Sequence, residues 1–115
     1  MKSGLISGVL VGLLAMAGAS SASAAVDEEA AKALARANNC FKCHSVDKKK
    51  DGPSYKDVAA KYKGKDFAKS EARLITHITS GEKAKFEDGH EEDHKIIKTK
   101  DQAELKNLVD WILSL

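Results

Sequence analysis

The chain has little with which to build a core. Of its 115 residues only 5% are aromatic, one Trp, two Tyr and three Phe, and there is a single proline. Methionine stands only at positions 1 and 16, so everything after residue 16 lacks a thioether. Cysteine occurs only at 40 and 43. Two thiols that close together exclude a disulfide-stapled scaffold, because a bridge between them would close a very short loop and stabilise little. No stretch alternates convincingly between apolar and polar with period two, which argues against a sheet and against the βαβ setting of a thioredoxin-like redox pair. Neither sign of charge dominates, with 19 basic against 17 acidic residues. That balance argues against a nucleic-acid binder. There is also no internal repeat and no low-complexity linker.

What is present begins with an export pattern. Residues 1–24 run from Lys2 through the apolar "GLISGVLVGLLAMAGA" to small residues ending in Ala22-Ser23-Ala24. This is the plan of a secretory signal peptide cleaved after Ala24. The apolar stretch is shorter than the ~20 residues a spanning helix needs and is diluted by Gly and Ser, so no stable membrane insertion is expected after cleavage. The mature domain would be residues 25–115, with a formal charge of +1 once Lys2 is removed. A domain of that size is marginal on a hydrophobic core alone and often recruits a metal, disulfides or a cofactor.

Four helical segments can be read. Asp27 is placed to cap "EEAAKALARANN", whose acids fall in the first turn and whose buried face would be alanine. Ser54 opens "YKDVAAKY", in which Tyr55, Val58, Ala59 and Tyr62 follow one helical face. "DFAKSEARLITHITSG" puts Phe67, Leu74, Ile75 and Ile78 on one side, with His77 beside the stripe and Gly81 just past the end. Thr99 and Gln102 have capping-box spacing ahead of "AELKNLVDWILSL", where Leu105, Leu108, Val109, Trp111, Ile112 and Leu115 give a broad apolar face. The expectation is an all-α domain with irregular segments at 38–54 and 82–98.

The chemistry is concentrated in "CFKCH", residues 40–44. A structural zinc site would need four ligands, and the usual second ligand pair is missing. Covalent haem attachment needs this order of groups: Cys40 and Cys43 each form a thioether with a vinyl substituent, and His44 is brought under the iron as a proximal ligand. Export fits that reading, since bacterial attachment is made outside the cytoplasm.

The motif, together with the helix before it, "GPSYKDVAAKY" after it and the final "WILSL", resembles the small class I c-type cytochromes over residues 27–115. The resemblance implies an all-α, cytochrome c-like fold of three to four helices wrapped around one covalent haem c, with the first and last helices crossing through small alanines and Trp111. It implies that the Pro53 carbonyl accepts a hydrogen bond from the second ring nitrogen of His44 and so fixes its tautomer. Most of the family complete the iron with a methionine before the last helix. This mature chain has none. The histidines available are His77, His90 and His94. His77 lies off the apolar stripe of its helix, where a solvated histidine is the ordinary reading. His90 follows the turn signal Asp88-Gly89, which suggests an exposed tip. His94 stands before Trp111 at close to the family's interval, so the resemblance points to His44 and His94 as the iron ligands. His90, or an open or water-bound iron, are the alternatives.

The function expected is a periplasmic electron carrier, not an enzyme, with bis-histidine iron and a low potential, because a thioether raises the potential and an imidazole replaces it here. The contrasting expectation is a haem protein that senses a small gas by displacing a weak sixth ligand. Lys42, Lys48, Lys49, Lys50 and Lys56 flank the motif. They form either a solvated surface or a basic collar for redox partner proteins with an acidic docking surface. A monomer that binds no nucleic acid is expected.

Overall fold

The computed structural model describes Gly12 and residues 25–115. The expected signal peptide and its cleavage site lie, apart from Gly12, outside the described residues. Helix α1, Glu28–Ala37, starts where Asp27 accepts a hydrogen bond from Ala30 N at 3.0 Å. A single 3-10 turn covers Cys40–Lys42 within the segment expected to be irregular. Helix α2, Tyr55–Tyr62, is capped by Ser54, whose hydroxyl accepts from Asp57 N at 3.1 Å. Helix α3, Phe67–Thr79, is capped by Asp66, and helix α4, Gln102–Leu113, closes the order.

The start of α4 differs from its expected form. Asp101, not Thr99, is the cap, and its carboxylate accepts from both Ala103 N (2.8 Å) and Glu104 N (3.2 Å). A carboxylate can serve two orphan amides at the positive end of the helix dipole, which displaces the weaker threonine cap. Thr99 instead donates to Glu104 Oε2 at 2.7 Å.

Segment 82–98 is not wholly irregular either. Strands β1, Lys83–Lys85, and β2, Glu91–Asp93, form an antiparallel hairpin in which Lys83 faces Asp93 and Lys85 faces Glu91. Apolar alternation is absent because neither face of this hairpin is a core face; opposed charges pair across it instead, with Lys83 Nζ 2.7 Å from Asp93 Oδ1.

The core is small and helical. Ala31 and Ala35 of α1 are sealed at 1% and 0% exposure and share one cluster with Tyr55, Ile97, Leu105, Leu108, Trp111 and Ile112. Alanine at both α1 positions lets α4 come close, and α4 also packs against α2 and α3. Asn38, buried at the end of α1, donates to Leu34 O at 2.9 Å and accepts from Lys98 N at 3.0 Å, tying the first helix to the approach of the last. Phe67, counted with the buried stripe of α3 from its spacing, is 56% exposed as the first residue of that helix, while Ser70 is buried and returns its hydroxyl to Asp66 O. Among the described residues no helix is long and apolar enough to cross a membrane.

Candidate functional site

The segment from 38 to 55 folds on itself through short-range bonds. Asn39 takes a left-handed conformation (φ 57°), which turns the chain out of α1 and into the cysteine turn. His44 N then bonds to Cys40 O at 3.0 Å, and Gly52 N returns to Cys43 O at 2.7 Å. Cys40 and Cys43 are both free thiols, the first half-buried and the second exposed. Burial pushes the Cys40 thiol above its ordinary range, against the opposing pull of the Tyr55 hydroxyl.

His44 is fixed on three sides. Its Nδ1–H donates to Pro53 O at 2.7 Å, the partner that the resemblance implied. Its ring stacks on Tyr55, with centroids 5.1 Å apart and 21° between the planes. Gly52 lies flush against it: a Cβ there would stand 2.5 Å from His44 Cε1. The glycine is required by contact and not by backbone conformation. Burial lowers the His44 pKa, which favours the neutral imidazole that a metal ligand must be.

Tyr55 was legible only as a helix-face residue, yet it joins the site to the core. It is buried, and it meets Phe41 at 6.0 Å, His44, and Trp111 edge-on at 5.7 Å. That burial and the neighbouring thiol push its phenol well above the ordinary value. The available sequence signal was its place at the first turn of a helix two residues after Pro53.

Opposite His44 stands His94, with ring centroids 6.3 Å apart. Its Nδ1–H donates to its neighbour Lys95 O at 2.9 Å, leaving Nε2 as the lone-pair nitrogen, as in His44. Burial again lowers its pKa. His90 is not brought to this place. It sits at the exposed end of the hairpin, stacked on Phe86 at 4.3 Å and paired with Asp88, whose carboxylate raises its pKa. His77 departs from the expectation of a solvated histidine. Its ring lies 4.2 Å from that of His94 and its Nδ1–H donates to Glu82 Oε1 at 2.6 Å. The sequence placed it beside the stripe but could not show that residues 82–97 fold back over the end of α3.

These residues fit a haem iron held between two histidines. Two imidazoles that each bind a metal through Nε2 at ~2.0–2.1 Å place their ring centres about 6.4 Å apart. The 6.3 Å between His44 and His94 matches that spacing. Leu34, Phe41, Val46, Val58, Ile75 and Ile78 pack against the core while staying only partly buried, and so offer the apolar surface that a porphyrin needs.

The lysines around the motif are partly committed. Lys49 pairs with Glu87 of the hairpin turn, Lys56 with Asp47 at 2.5 Å, and Lys50 donates to Phe41 O at 2.7 Å.

The sequence model of the Cytochrome c family matches residues 28–115. Cytochrome c-552 of Nitrosomonas europaea is 40% identical over 82 residues, covering 71% of this chain and 75% of the relative. Cytochrome c-551 of Stutzerimonas stutzeri is 33% identical over 107 residues, covering 93% and 96%. Among solved structures, the class 1 cytochrome MtoD from Sideroxydans lithotrophicus ES-1 superposes with a TM-score of 0.72 at 69% identity, over 78% of this chain and 97% of that one.

Proposed function

The chain belongs to the cytochrome c family of electron carriers, which are not enzymes and bind haem c covalently through Cys-x-x-Cys-His, and from that premise we propose a bis-histidine, low-potential carrier working in the periplasm. Cys40 and Cys43 would hold the haem through thioether bonds to its two vinyl groups, and His44 and His94 would ligate its iron. Haem c, when bound, supplies an iron that changes by one electron between ferric and ferrous. The chain's own part is to hold and orient that site. Pro53 O and Lys95 O keep each ring with Nε2 toward the metal, and the stack of His44 on Tyr55 carries its position to Trp111 and the core.

The observation that carries the reading is the 6.3 Å separation of two imidazoles, each anchored through Nδ1 to a backbone carbonyl, in a mature chain without methionine. The low potential follows from imidazole in place of thioether. The acids next to His94 contribute less, because Asp93 is paired with Lys83 and Glu92 stands 3.4 Å from His90, all of them exposed. Export is supported by the signal pattern of residues 1–24. The exposed lysines fit a monomer that meets acidic redox partners transiently, with Lys49, Lys50 and Lys56 partly held by their own neighbours.

The test is the spectrum of the purified protein. Ferric protein should be low-spin, lack the weak long-wavelength sulfur-to-iron band and show a bis-imidazole resonance signature, and ferrous protein should be indifferent to carbon monoxide. A high-spin ferric spectrum with rapid carbon monoxide binding would replace the carrier with the ligand-binding reading.

A further inference from the structure

We infer that His77 is a reserve sixth ligand: a second imidazole on the His94 side that takes the iron when His94 leaves it. This rests on the assignment of His94 as the resident ligand. Three observations support it. The His77 ring centre is 4.2 Å from that of His94, so a swing of its side chain over no more than that distance sets it where His94 stands. Its Nδ1–H is taken by Glu82 Oε1, which holds the tautomer whose lone pair is on Nε2, the same ligand-competent form as His44 and His94. And one residue organises both histidines. Glu82 accepts from His77 and from Arg73 Nη1 (2.7 Å) through its carboxylate, while its backbone carbonyl accepts from His94 N at 2.9 Å.

The two imidazoles differ in what carries them. His77 is on α3, thirteen residues of regular helix, while His94 directly follows a three-residue exposed strand. If the hairpin lifts, His94 moves with it, and His77 stays on α3. His77 would then be placed to ligate the iron as the bond to His94 is given up, which would keep that position closed to water and small gases.

The experiment compares the holoproteins of His77→Ala, His94→Ala and the double variant by ferric electron resonance and by ferrous carbon monoxide binding. The thioether bonds retain the haem in all three. His94→Ala should remain low-spin with shifted resonance positions, and the double variant should become high-spin and bind carbon monoxide rapidly. A high-spin His94→Ala would overturn the reserve role and leave His94 as the resident ligand. A His94→Ala signature identical to that of the unaltered protein, with a high-spin His77→Ala, would overturn the assignment of His94 itself and the reserve role with it. Should the truncated loop fail to fold, His77→Ala alone decides: with His94 in place but no reserve, ferrous protein should begin to bind carbon monoxide, to which the unaltered protein is indifferent, and a variant that stays indifferent would refute the inference.

Discussion

The two sides of the site are built by different means. On the His44 side, the cysteines, the histidine and its carbonyl partner lie within fourteen residues, and the bonds that shape them, such as Gly52 N to Cys43 O and Tyr55 N to Ser45 O at 2.9 Å, are local. On the His94 side the groups come from the end of α3, a charged hairpin and the irregular segment leaving it. They are held by bonds between segments, His94 N to Glu82 O and Ile97 N to Ile78 O, both 2.9 Å. A locally closed loop keeps its geometry as long as its own turn is intact. A side assembled from separate segments can shift as one of them shifts, and the strand before His94 is exposed at every residue. The His44 side should therefore fail abruptly when altered, and the His94 side by degrees.

The largest effect should come from removing the attachment itself. Replacing Cys40 and Cys43 together by alanine should abolish covalent haem. Acidified acetone would then extract the colour, and the polypeptide mass would equal the bare chain. Because the buried cluster is small and Leu34, Val46 and Ile75 are only partly covered, that chain should also lose most of its cooperative unfolding transition. A double variant that keeps its colour through extraction would remove the basis for the attachment site.

A pair of glycine substitutions puts the contrast to a finer test. In Gly52→Ala the new Cβ would fall 2.5 Å from His44 Cε1 and 2.9 Å from Nδ1, atoms pinned by Pro53 and Tyr55. The ring has nowhere to go, so holoprotein yield should drop and the iron spectrum should change. Gly81 sits just past α3 in the left-handed region (φ +69°), and a Cβ there meets Ile96 Cδ1 at 3.1 Å, the end of a side chain that is 55% exposed and able to turn away. Gly81→Ala should cost about 1–2 kcal/mol of stability from backbone strain, with the spectrum nearly unchanged. Denaturant melts and visible spectra of both variants check this, and equal spectral damage in the two would erase the difference between the sides.

The same contrast explains what could be read from the sequence. The His44 side was legible because its chemistry is contiguous: a spacing of two residues between thiols, an adjacent histidine, and Gly52-Pro53 nine residues on. The four helices were legible from caps and apolar periodicity, since Asp27, Ser54 and Gly81 act where the chain says they should. The His94 side was only half legible. The position of His94 could be inferred by resemblance, but the contact of His77 with it depends on how residues 82–97 return over α3. That return is made by a hairpin whose strands pair charges, so it carries no apolar alternation to reveal it. Asp101 took the cap of α4 because a carboxylate can accept from two amides at once, a competition that spacing alone does not decide.

The smallest expected effect is a pH dependence at the seam on which the His94 side rests. Asp110 of α4 has one carboxylate oxygen buried without a partner. Its carboxyl is pushed up to about 7, first by burial and then by Glu71 of α3 beside it, with Lys106 pulling weakly the other way. Two ionised carboxylates cannot bond to each other, whereas one proton shared between them supplies the missing donor and joins α3 to α4. The sign follows from an acid whose folded pKa lies above its ordinary 3.8. Below both values the folded and unfolded chains hold the proton equally and the contribution is full. As pH rises from about 4 toward 7 the unfolded chain gives up its proton first, so the contribution fades. Much of the carboxyl's surroundings is open to solvent, which keeps the effect modest. Asp110→Asn keeps the shape and supplies a permanent donor, so the unaltered protein should lose Tm relative to the variant between about pH 4 and pH 7, while the two converge in acid. Melting curves that run parallel across that range would show that the seam does not titrate, and that α3 holds its place by packing alone.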